Sequence, residues 1–290
     1  MTKVMFLNNW GESPETLLKR YSAQTPGNRG VWGSIEGTTS FEEADFYIVM
    51  DGMPHQLIDT IDWSRVIYFQ REPASIRPYF MQHEFPENIF FKGTYESFYD
   101  VGIWWINLDF DELVKLEYPT KTKKISSITS GKTGMKEYNN RINFLNHFSR
   151  RYDDIDIYGR GTGAFLGDRW KGELNYNGNC KLKGLIDYEY SIVLENTMLK
   201  NSWTEKIADS YLCWALPIYS GDSNINRYFP EDSYYNLDIE NCDTQDIVNF
   251  IQEPPSNTQI NALQEARNSL LFKWNIWPSI ERVINNDKLR

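Results

Sequence analysis

Two polar motifs stand where a short apolar run ends and a helical pattern begins. Glu195 and Asn196 follow the apolar run 190–194, which has the length of a buried strand. Lys206 opens a segment with helical spacing, and a second short strand is predicted at 217–221, where a proline stops the helix. In parallel sheets, ligands bind where strand carboxyl ends meet helix amino ends, and the backbone N–H groups there favour anions. The spacing therefore predicts an anion-binding site with Lys206 as its cation.

The amino end of the predicted helix has the spacing of a capping box. Ser202 is the expected N-cap, and Glu205 is the residue three positions later that closes the box. Glu205 has a second interpretation, as a contact to a ligand. The two interpretations compete, because one carboxylate cannot serve both roles fully. Helical spacing continues through Ile207, Tyr211 and Ala215.

The segment 195–222, ENTMLKNSWTEKIADSYLCWALPIYSGD, resembles the signature of the family 10 glycosyltransferases, the α1,3/4-fucosyltransferases. That signature contains Glu-Asn, then Thr-Glu-Lys, an alanine-rich helix and a short strand that begins with proline and ends near glycine. The pieces agree in order and spacing, and the resemblance covers the C-terminal half better than the N-terminal half. It implies an inverting transferase that moves a sugar from a nucleotide-diphosphate donor, GDP-fucose by default, to a hydroxyl of a glycan acceptor, as in glycan biosynthesis and protein glycosylation.

The resemblance also implies roles for individual residues of the motif. Lys206 would contact the donor phosphates, Glu205 the donor nucleoside, and Asn196 with Glu195 the donor at the strand end. Ser202 stands where the family has a tyrosine that contributes to nucleoside recognition. This departure leaves a UDP-sugar such as a UDP-pentose open as an alternative donor.

Arg141 and Glu72 complete the expected site. Arg141 lies in an Arg-x-x-Phe setting similar to that of the family's phosphate-binding arginine, and its planar guanidinium donates bidentately to a diphosphate. Glu72 follows an apolar strand and precedes a proline, in the position that resembles the family's catalytic glutamate. A carboxylate in a dry cleft accepts the proton of the acceptor hydroxyl when its pKa is raised. Glu96 and Asp100 are the alternatives for this role.

The charge of the chain is uneven. The net charge is −10, yet residues 115–206 contain 16 Lys/Arg against 11 Asp/Glu. This excess either attracts a dianionic ligand such as a nucleotide diphosphate or belongs to the lysine-rich linker 121–124 and to solvated helix faces. A nucleic-acid partner is not expected, because the whole protein repels a polyanion.

No metal or cofactor is expected. His55, His83 and His147 are far apart in the sequence and lack the spacing of metal ligands. The Asp-x-Asp pairs at 109–111 and 154–156 resemble metal-binding pairs, but such pairs also arise by chance. We expect cationic side chains to supply the positive charge that the leaving diphosphate needs.

The elements that must position these residues alternate between strands and helices. The linker 117–124 divides two such alternating halves, which predicts an α/β protein with two Rossmann-like domains facing a cleft, the GT-B glycosyltransferase fold of the resembled family. The expected domains are 1–117 for the acceptor, 118–273 for the nucleotide-sugar, and a C-terminal helix at 274–290 that packs back on the first domain. The predicted strands are 3–8, 46–50, 65–69, 124–130 and 154–158. The predicted helices are 15–21, 76–81, 110–116, 135–151, 256–272 and 277–283, with a loop at 25–39.

Several weaker patterns stay open. The glycine-rich stretch 159–163 is either a phosphate-cradling turn or an ordinary tight turn at a strand end. Trp32, Trp104 and Trp105 either stack against a sugar or belong to the core. The other function classes are a non-catalytic carbohydrate-binding protein and a glycosidase that uses two carboxylates.

The N-terminal segment turns polar too early for a signal peptide, and no apolar run has the length of a membrane span. Three scattered cysteines do not suggest disulfides, so a soluble cytoplasmic protein with reduced thiols is expected. The sequence does not determine the oligomeric state.

Overall fold

The first sheet lies in the N-terminal half of the chain. The computed structural model describes residues 1–71, 85–94, 101–174 and 181–286. Six strands form this sheet: β1 (Thr2–Leu7), β2 (Val31–Trp32), β3 (Ile35–Gly37), β4 (Phe46–Met50), β5 (Val66–Phe69) and β6 (Phe91–Gly93). Their order is β2-β3-β1-β4-β5-β6, and all pairs are parallel except β2 with β3. β4 and β5 are apolar along their whole length because both faces of the sheet are covered.

The second sheet is formed by the C-terminal half. Its strands are β7 (Lys123–Ile128), β8 (Ile155–Tyr158), β9 (Tyr188–Leu194), β10 (Leu216–Ser220) and β11 (Tyr235–Asn236). The order is β11-β10-β9-β7-β8, and every pair is parallel. The carboxyl end of β9 therefore lies between those of β10 and β7, and it carries Glu195 and Asn196. The predicted α/β class, with two largely parallel sheets, is confirmed.

Helices flank both sheets. They are α1 (Pro14–Ser22), α2 (Phe110–Lys115), α3 (Lys136–Arg151), α4 (Gly163–Leu166), α5 (Glu205–Leu212), α6 (Thr244–Phe250), α7 (Asn257–Ser269) and α8 (Ile276–Asn285), with a π turn at Leu270–Trp274 between the last two. α8 packs on the first sheet: its Trp277, Ile280 and Val283 share a buried cluster with Val4 and Phe6 of β1. The chain thus returns to its N-terminal half after completing the second sheet. The expected domain boundaries stay a prediction.

The segment 25–39 is not only a loop, as the sequence suggested. It contains the short antiparallel pair β2 and β3, and β3 lies next to β1. These strands have two and three residues, which is too short for a period of two to be recognised. The predicted helix at 76–81 lies outside the described residues.

The lysines of the linker 121–124 are engaged within the C-terminal half. Lys121 Nζ donates to the carbonyl oxygens of Ile186 and Cys213, each at 2.9 Å, and burial lowers its pKa to about 7. Lys123 pairs with Asp156 at 3.0 Å, and Lys124 with Glu189 at 2.6 Å. These pairs neutralise much of the positive charge of the linker. The basic side chains available to an anion must therefore lie elsewhere in the positively charged segment 115–206.

Candidate active site

A cleft lies between the carboxyl ends of the two sheets. Its cavity of about 260 Å³, which we call the cleft cavity, is lined by residues of both halves. From the N-terminal half come Trp10, Tyr21, Met50, Asp51, Arg71, Ile103 and Trp105. From the C-terminal half come Lys181, Glu195, Asn196, Thr197, Ser202, Thr204, Glu205 and Lys206. The cavity therefore holds the sequence motif on one side and a surface contributed by the first sheet on the other.

The start of α5 differs from the predicted capping box. Thr204, not Ser202, is the N-cap, and its hydroxyl oxygen accepts the Lys206 N–H at 3.3 Å. Ser202 is buried and donates its hydroxyl to the carbonyl oxygen of Leu199 at 2.5 Å. The prediction of Ser202 as the cap is wrong because Thr204 has a second partner, Glu195, which holds its hydroxyl at the helix end. Glu205 is therefore free of the capping role that competed with ligand binding.

Glu195 ties the end of β9 to the start of α5. Its side chain is 1% exposed, and its carboxylate accepts the backbone N–H and the hydroxyl of Thr204, each at 2.9 Å. Its second oxygen accepts Lys206 Nζ at 3.0 Å. A carboxylate with both oxygens occupied inside the protein is a positioning group. Glu195 holds the lysine at the site where the helix amino end already favours an anion.

Lys206 and Glu205 belong to a network of charges that crosses the cleft. Glu205 lies 3.7 Å from Lys206, 3.8 Å from Lys181 and 3.8 Å from Arg71 of the N-terminal half. Burial alone raises the pKa of Glu205, but the charges of Lys206, Lys181 and Arg71 outweigh burial and lower it to about 2. Burial lowers the pKa of Lys206, and the charges of Glu195 and Glu205 raise it above its usual value. Both groups are therefore ionised at neutral pH.

Lys181 and Asp209 were missed by the sequence analysis. Lys181 Nζ donates to Asp209 at 2.7 Å, and Asp209 also accepts the backbone N–H of Trp105 at 2.7 Å. Asp209 is 1% exposed; burial raises its pKa to about 6, against the opposing effect of Lys181. The spacing of Glu205 and Asp209, four residues apart on one helix, places both on one face and was a usable signal. Nothing local to Lys181 in the sequence indicates the site.

Arg141 lies beneath the same strand end. It is 2% exposed, and its Nη1 donates to Asn196 Oδ1 at 2.7 Å and to the Leu194 carbonyl at 3.4 Å. Its guanidinium lies 4.9 Å from the ring centroid of Tyr138, and burial lowers its pKa. Within the described residues, Nε and Nη2 have no hydrogen-bond partner. Buried donors without partners are costly, so this guanidinium fits a site that an anion completes.

A second cavity joins Arg141 to the cleft. This Arg141 cavity of about 360 Å³ shares Trp105, Lys181, Asn196, Glu205 and Lys206 with the cleft cavity. Its remaining lining includes the basic residues Lys132, Arg141 and Arg160. The two cavities form one channel along the ends of β7, β8 and β9, with basic side chains on several sides. Such a channel suits an elongated ligand that carries two adjacent negative charges near its centre.

The predicted base does not fall within the described chain. Glu72, Glu96 and Asp100 lie outside the described residues. Arg71, the last described residue before 72–84, lines the cleft cavity. Asp51 is a carboxylate of the N-terminal half that the sequence analysis missed; it lines the same cavity and accepts the Arg71 N–H at 2.6 Å.

The remaining candidate motifs have contacts that explain their local structure, and Gly159 and Arg160 of the glycine turn also line the Arg141 cavity. A Cβ atom at Gly159, whose φ is +145°, would lie 1.9 Å from the Thr129 carbonyl oxygen, so the glycine turn allows two strand ends to pack closely. Asp109 caps α2 in a capping box with Glu112, and Asp156 pairs with Lys123. In the described parts of the chain, no group of three or more His, Cys, Asp or Glu is placed to hold a metal ion. None of the helices described there has the length and apolarity to cross a membrane.

The C-terminal half of the chain is similar in sequence to known glycosyltransferases. Residues 118–260 match the family model "Glycosyltransferase family 10 (fucosyltransferase) C-term". An "Alpha-(1,3)-fucosyltransferase FucT" of Helicobacter pylori is 32% identical over 93 residues, which cover 32% of this chain and 19% of that protein. Human "4-galactosyl-N-acetylglucosaminide 3-alpha-L-fucosyltransferase 9" is 23% identical over 146 residues, 50% of this chain and 36% of that protein. The chain thus aligns with well under two thirds of the length of these relatives.

Two solved structures superpose on much of this chain. A crystal structure of α1,3-fucosyltransferase with GDP-fucose superposes with a TM-score of 0.47 at 14% identity, over 99% of this chain and 91% of the other. A structure of TarM superposes with a TM-score of 0.45 at 13% identity, over 86% of this chain and 51% of the other. On the match of residues 118–260 to the family model, the C-terminal half of the chain is similar to the C-terminal domain of the family 10 fucosyltransferases.

Proposed function

We propose that the protein is an inverting glycosyltransferase that moves fucose from GDP-fucose to a hydroxyl of a glycan acceptor by direct displacement, without a metal or other cofactor. The observation that carries this proposal is the buried guanidinium of Arg141, which has two N–H-bearing nitrogens unpartnered in the described chain and lines one cavity with Lys206 at the start of α5. Planar guanidinium and point-charge ammonium groups together suit a diphosphate. The family match of this half of the chain supports the same donor class.

In this proposal the C-terminal half stabilises the leaving group. Negative charge builds on the diphosphate as the bond between the anomeric carbon and the phosphate oxygen breaks. Arg141, Lys206 and Lys181 line the channel where that charge would develop, and fixed cations in a water-poor cleft stabilise it strongly. Asp209 and Glu195 hold two of these cations in place before the donor arrives.

Glu205 is the proposed nucleoside contact. With a pKa of about 2 it is a pure acceptor at neutral pH, and it suits the hydroxyl groups of a ribose. Asn196 holds Arg141 through its side-chain oxygen, so we assign it to orienting the guanidinium beside the diphosphate. Ser202 lines the cleft but donates its hydroxyl to Leu199, and we assign it to shaping the loop before α5.

Glu72 remains the proposed base of the N-terminal half. Inversion by direct displacement needs a carboxylate near the acceptor hydroxyl, on the face opposite the leaving diphosphate. The residue that precedes it, Arg71, belongs to the N-terminal half and lines the cleft cavity 3.8 Å from Glu205. Asp51 is the described alternative in the same wall.

The donor is tested by titrating the protein with GDP, UDP, GDP-fucose and UDP-pentoses and following sugar release from each sugar nucleotide in EDTA. The proposal expects tight GDP binding and hydrolysis or transfer of fucose that EDTA does not abolish. Preference for a UDP-sugar would change the donor, and a strict Mn²⁺ or Mg²⁺ requirement would contradict the metal-free mechanism. Binding of free sugars without binding of any nucleotide would favour a carbohydrate-binding protein instead. Release of sugar from a simple glycoside would favour a glycosidase.

The cytoplasmic location is also part of this proposal. Cys213 and Cys242 are free thiols, which suits a reducing compartment. Fractionation of cells that express the protein checks this location.

A further inference from the structure

A large cavity opens in the N-terminal half beside the cleft. It has a volume of about 710 Å³ and is lined by Trp10, Glu12, Arg20, Ala23, Gln24, Trp104, Trp105, Asn107 and Leu108. We call it the tryptophan cavity. Trp10 and Trp105 line both this cavity and the cleft cavity, so the two spaces share a wall. A ligand in the tryptophan cavity therefore lies next to the proposed donor site.

The tryptophans are not all core residues. Trp10 is 40% exposed although it follows a buried strand, and it lies on the loop after the carboxyl end of β1. Trp104 donates its indole N–H to the Leu108 carbonyl at 3.0 Å, which fixes the orientation of its ring. The Arg20 guanidinium lies over the Trp105 ring, with 4.8 Å between Cζ and the ring centroid, and the Trp105 backbone N–H donates to Asp209. Trp104 is buried in the core at 6% exposure, and Trp32 is partly buried against the core, with its ring edge-on to Phe110 at 5.6 Å between centroids.

The polar groups of the cavity carry no net charge. Arg20 and Glu12 form a two-point ion pair, one contact of which measures 2.8 Å, and Asn8 also donates to Glu12 at 2.9 Å. Gln24 is 3% exposed, and its Oε1 has no hydrogen-bond partner within the described residues. A buried amide oxygen in this state is relieved by a hydroxyl donor. The cavity thus offers fixed aromatic surface together with neutral or internally neutralised polar groups.

From this geometry we propose that the tryptophan cavity binds a neutral pyranose ring of the acceptor glycan. A pyranose has an apolar C–H face that covers aromatic carbon, and an edge of hydroxyl groups that both donate and accept hydrogen bonds. A charged sugar gains nothing from a cavity whose only charges are already paired. A purely apolar ligand leaves the Gln24 amide oxygen without a hydrogen-bond donor. The shared wall of Trp10 and Trp105 places one edge of such a ring towards the cleft.

This inference rests on the proposed function, which makes the ring an acceptor. The test measures saturation transfer by NMR from the full chain to methyl β-glucoside, methyl β-galactoside and N-acetylglucosamine, with and without saturating GDP. Glucuronate serves as the charged comparison. The variants are Trp10→Ala and Gln24→Leu, with Phe165→Ala as the control. Phe165 is 42% exposed, and neither cavity includes it.

We expect at least one neutral pyranoside to bind, glucuronate to bind at least ten-fold more weakly, and both cavity variants to lose binding at least ten-fold while the control retains it. Gln24→Leu should also raise the KM for the acceptor without changing the affinity for GDP, because Gln24 lines the tryptophan cavity and not the cleft cavity. Circular dichroism shows which variants are folded, and either folded cavity variant decides the question. If no neutral pyranoside binds, or if folded variants bind as the parent does, the cavity is not a sugar site. Failure of the parent to bind GDP would instead contradict the proposed donor and leave the sugar measurement intact.

Discussion

The cations of the cleft differ in how fully they are already paired. Lys206 and Lys181 each lie beside carboxylates: Lys206 beside Glu195 and Glu205, and Lys181 beside Asp209 and Glu205. A donor must therefore compete with internal partners for these ammonium groups. Within the described chain, Arg141 donates only to neutral oxygens, and its Nε and Nη2 have no hydrogen-bond partner. At the scale of single residues, Arg141 should dominate the affinity for diphosphate.

Arg141→Met should weaken GDP binding by about 1.5–3 kcal/mol, because it removes charge-assisted hydrogen bonds from a buried site. Arg141→Lys should recover little of this loss, since an ammonium cannot donate bidentately. Calorimetric titration with GDP measures the effect. Arg151→Met is the matched control: the same helix α3 carries it, but it pairs with Asp243 at the surface. Equal GDP affinity in Arg141→Met and in Arg151→Met would show that the diphosphate lies elsewhere.

Glu72→Gln should lower turnover by ~10²-fold or more with little change in GDP affinity, because the amide keeps the shape and loses the basicity. Asp51→Asn is compared in the same assay, since Asp51 is the described carboxylate of that wall. Transfer rates at saturating donor, together with GDP titrations, separate chemistry from binding. If Glu72→Gln has normal turnover, Glu72 is not the base, and Asp51 or another carboxylate of the N-terminal half takes that role.

At the scale of elements, the amino end of α5 is both a structural cap and part of the site. Thr204 caps the helix, and its hydroxyl also contacts Glu195 and Lys206. The strand end and the helix start are thereby fixed relative to each other by one hydroxyl group and one carboxylate. A change here is expected to affect stability and ligand binding together.

Thr204→Ala should cost roughly 1 kcal/mol of the free energy of unfolding, the usual value for a lost N-cap, and should also weaken GDP binding. Ser256→Ala provides the control. Ser256 caps α7 in a capping box with Gln259, and it lines neither the cleft cavity nor the Arg141 cavity. Urea unfolding should give similar losses for the two variants, whereas only Thr204→Ala should change the GDP titration. If Ser256→Ala weakens GDP binding as much as Thr204→Ala does, the loss of binding comes from lower stability and not from the position of Thr204 in the site.

At the scale of the whole molecule, polar contacts across the cleft join the two halves. The Trp105 N–H bonds to Asp209 and Arg71 lies near Glu205, while α8 carries the C-terminal end of the described chain back onto the first sheet. The halves are therefore coupled through buried charged groups at the same place where the donor is proposed to bind. Ligand binding and the stability of the whole protein should respond to the same protonation events.

Asp209 gives that coupling a pH dependence. Its pKa of about 6 in the folded protein lies above the usual 3.8, so the folded state binds more protons between these values. The stability that Asp209 contributes is thus full below about pH 4 and is lost as the pH rises through 6. The free energy of unfolding of the parent, minus that of Asp209→Asn, should fall by up to about 3 kcal/mol from pH 4 to pH 7. Urea unfolding across this range measures the difference.

Asp154→Asn, which changes an exposed carboxyl outside the cleft, supplies the control for this measurement. Its difference from the parent should vary less with pH than that of Asp209→Asn. A pH-independent difference for Asp209→Asn would show that its carboxyl titrates normally in the folded protein.

The sequence by itself determined the features that depend on local pattern. Apolar runs predicted β4 with its observed bounds and β9 within two residues, because buried parallel strands need continuous apolar side chains. The helices predicted at 15–21 and 135–151 agree with α1 and α3 to within one residue at each end. The motif from Glu195 to Lys206 predicted where an anion site would lie, since strand ends and helix starts meet there in any βαβ unit.

The tertiary structure decided which side chains complete that site. Lys181 reaches Asp209 from a segment 28 residues away, and Trp105 reaches it from the other half. The N-cap moved from Ser202 to Thr204 because Glu195, on the preceding strand, accepts from the Thr204 hydroxyl and backbone. Arg141 has unpartnered donors only because folding removed it from water beneath a strand end. Contacts between distant segments depend on packing in three dimensions, and no local pattern of residue types encodes them.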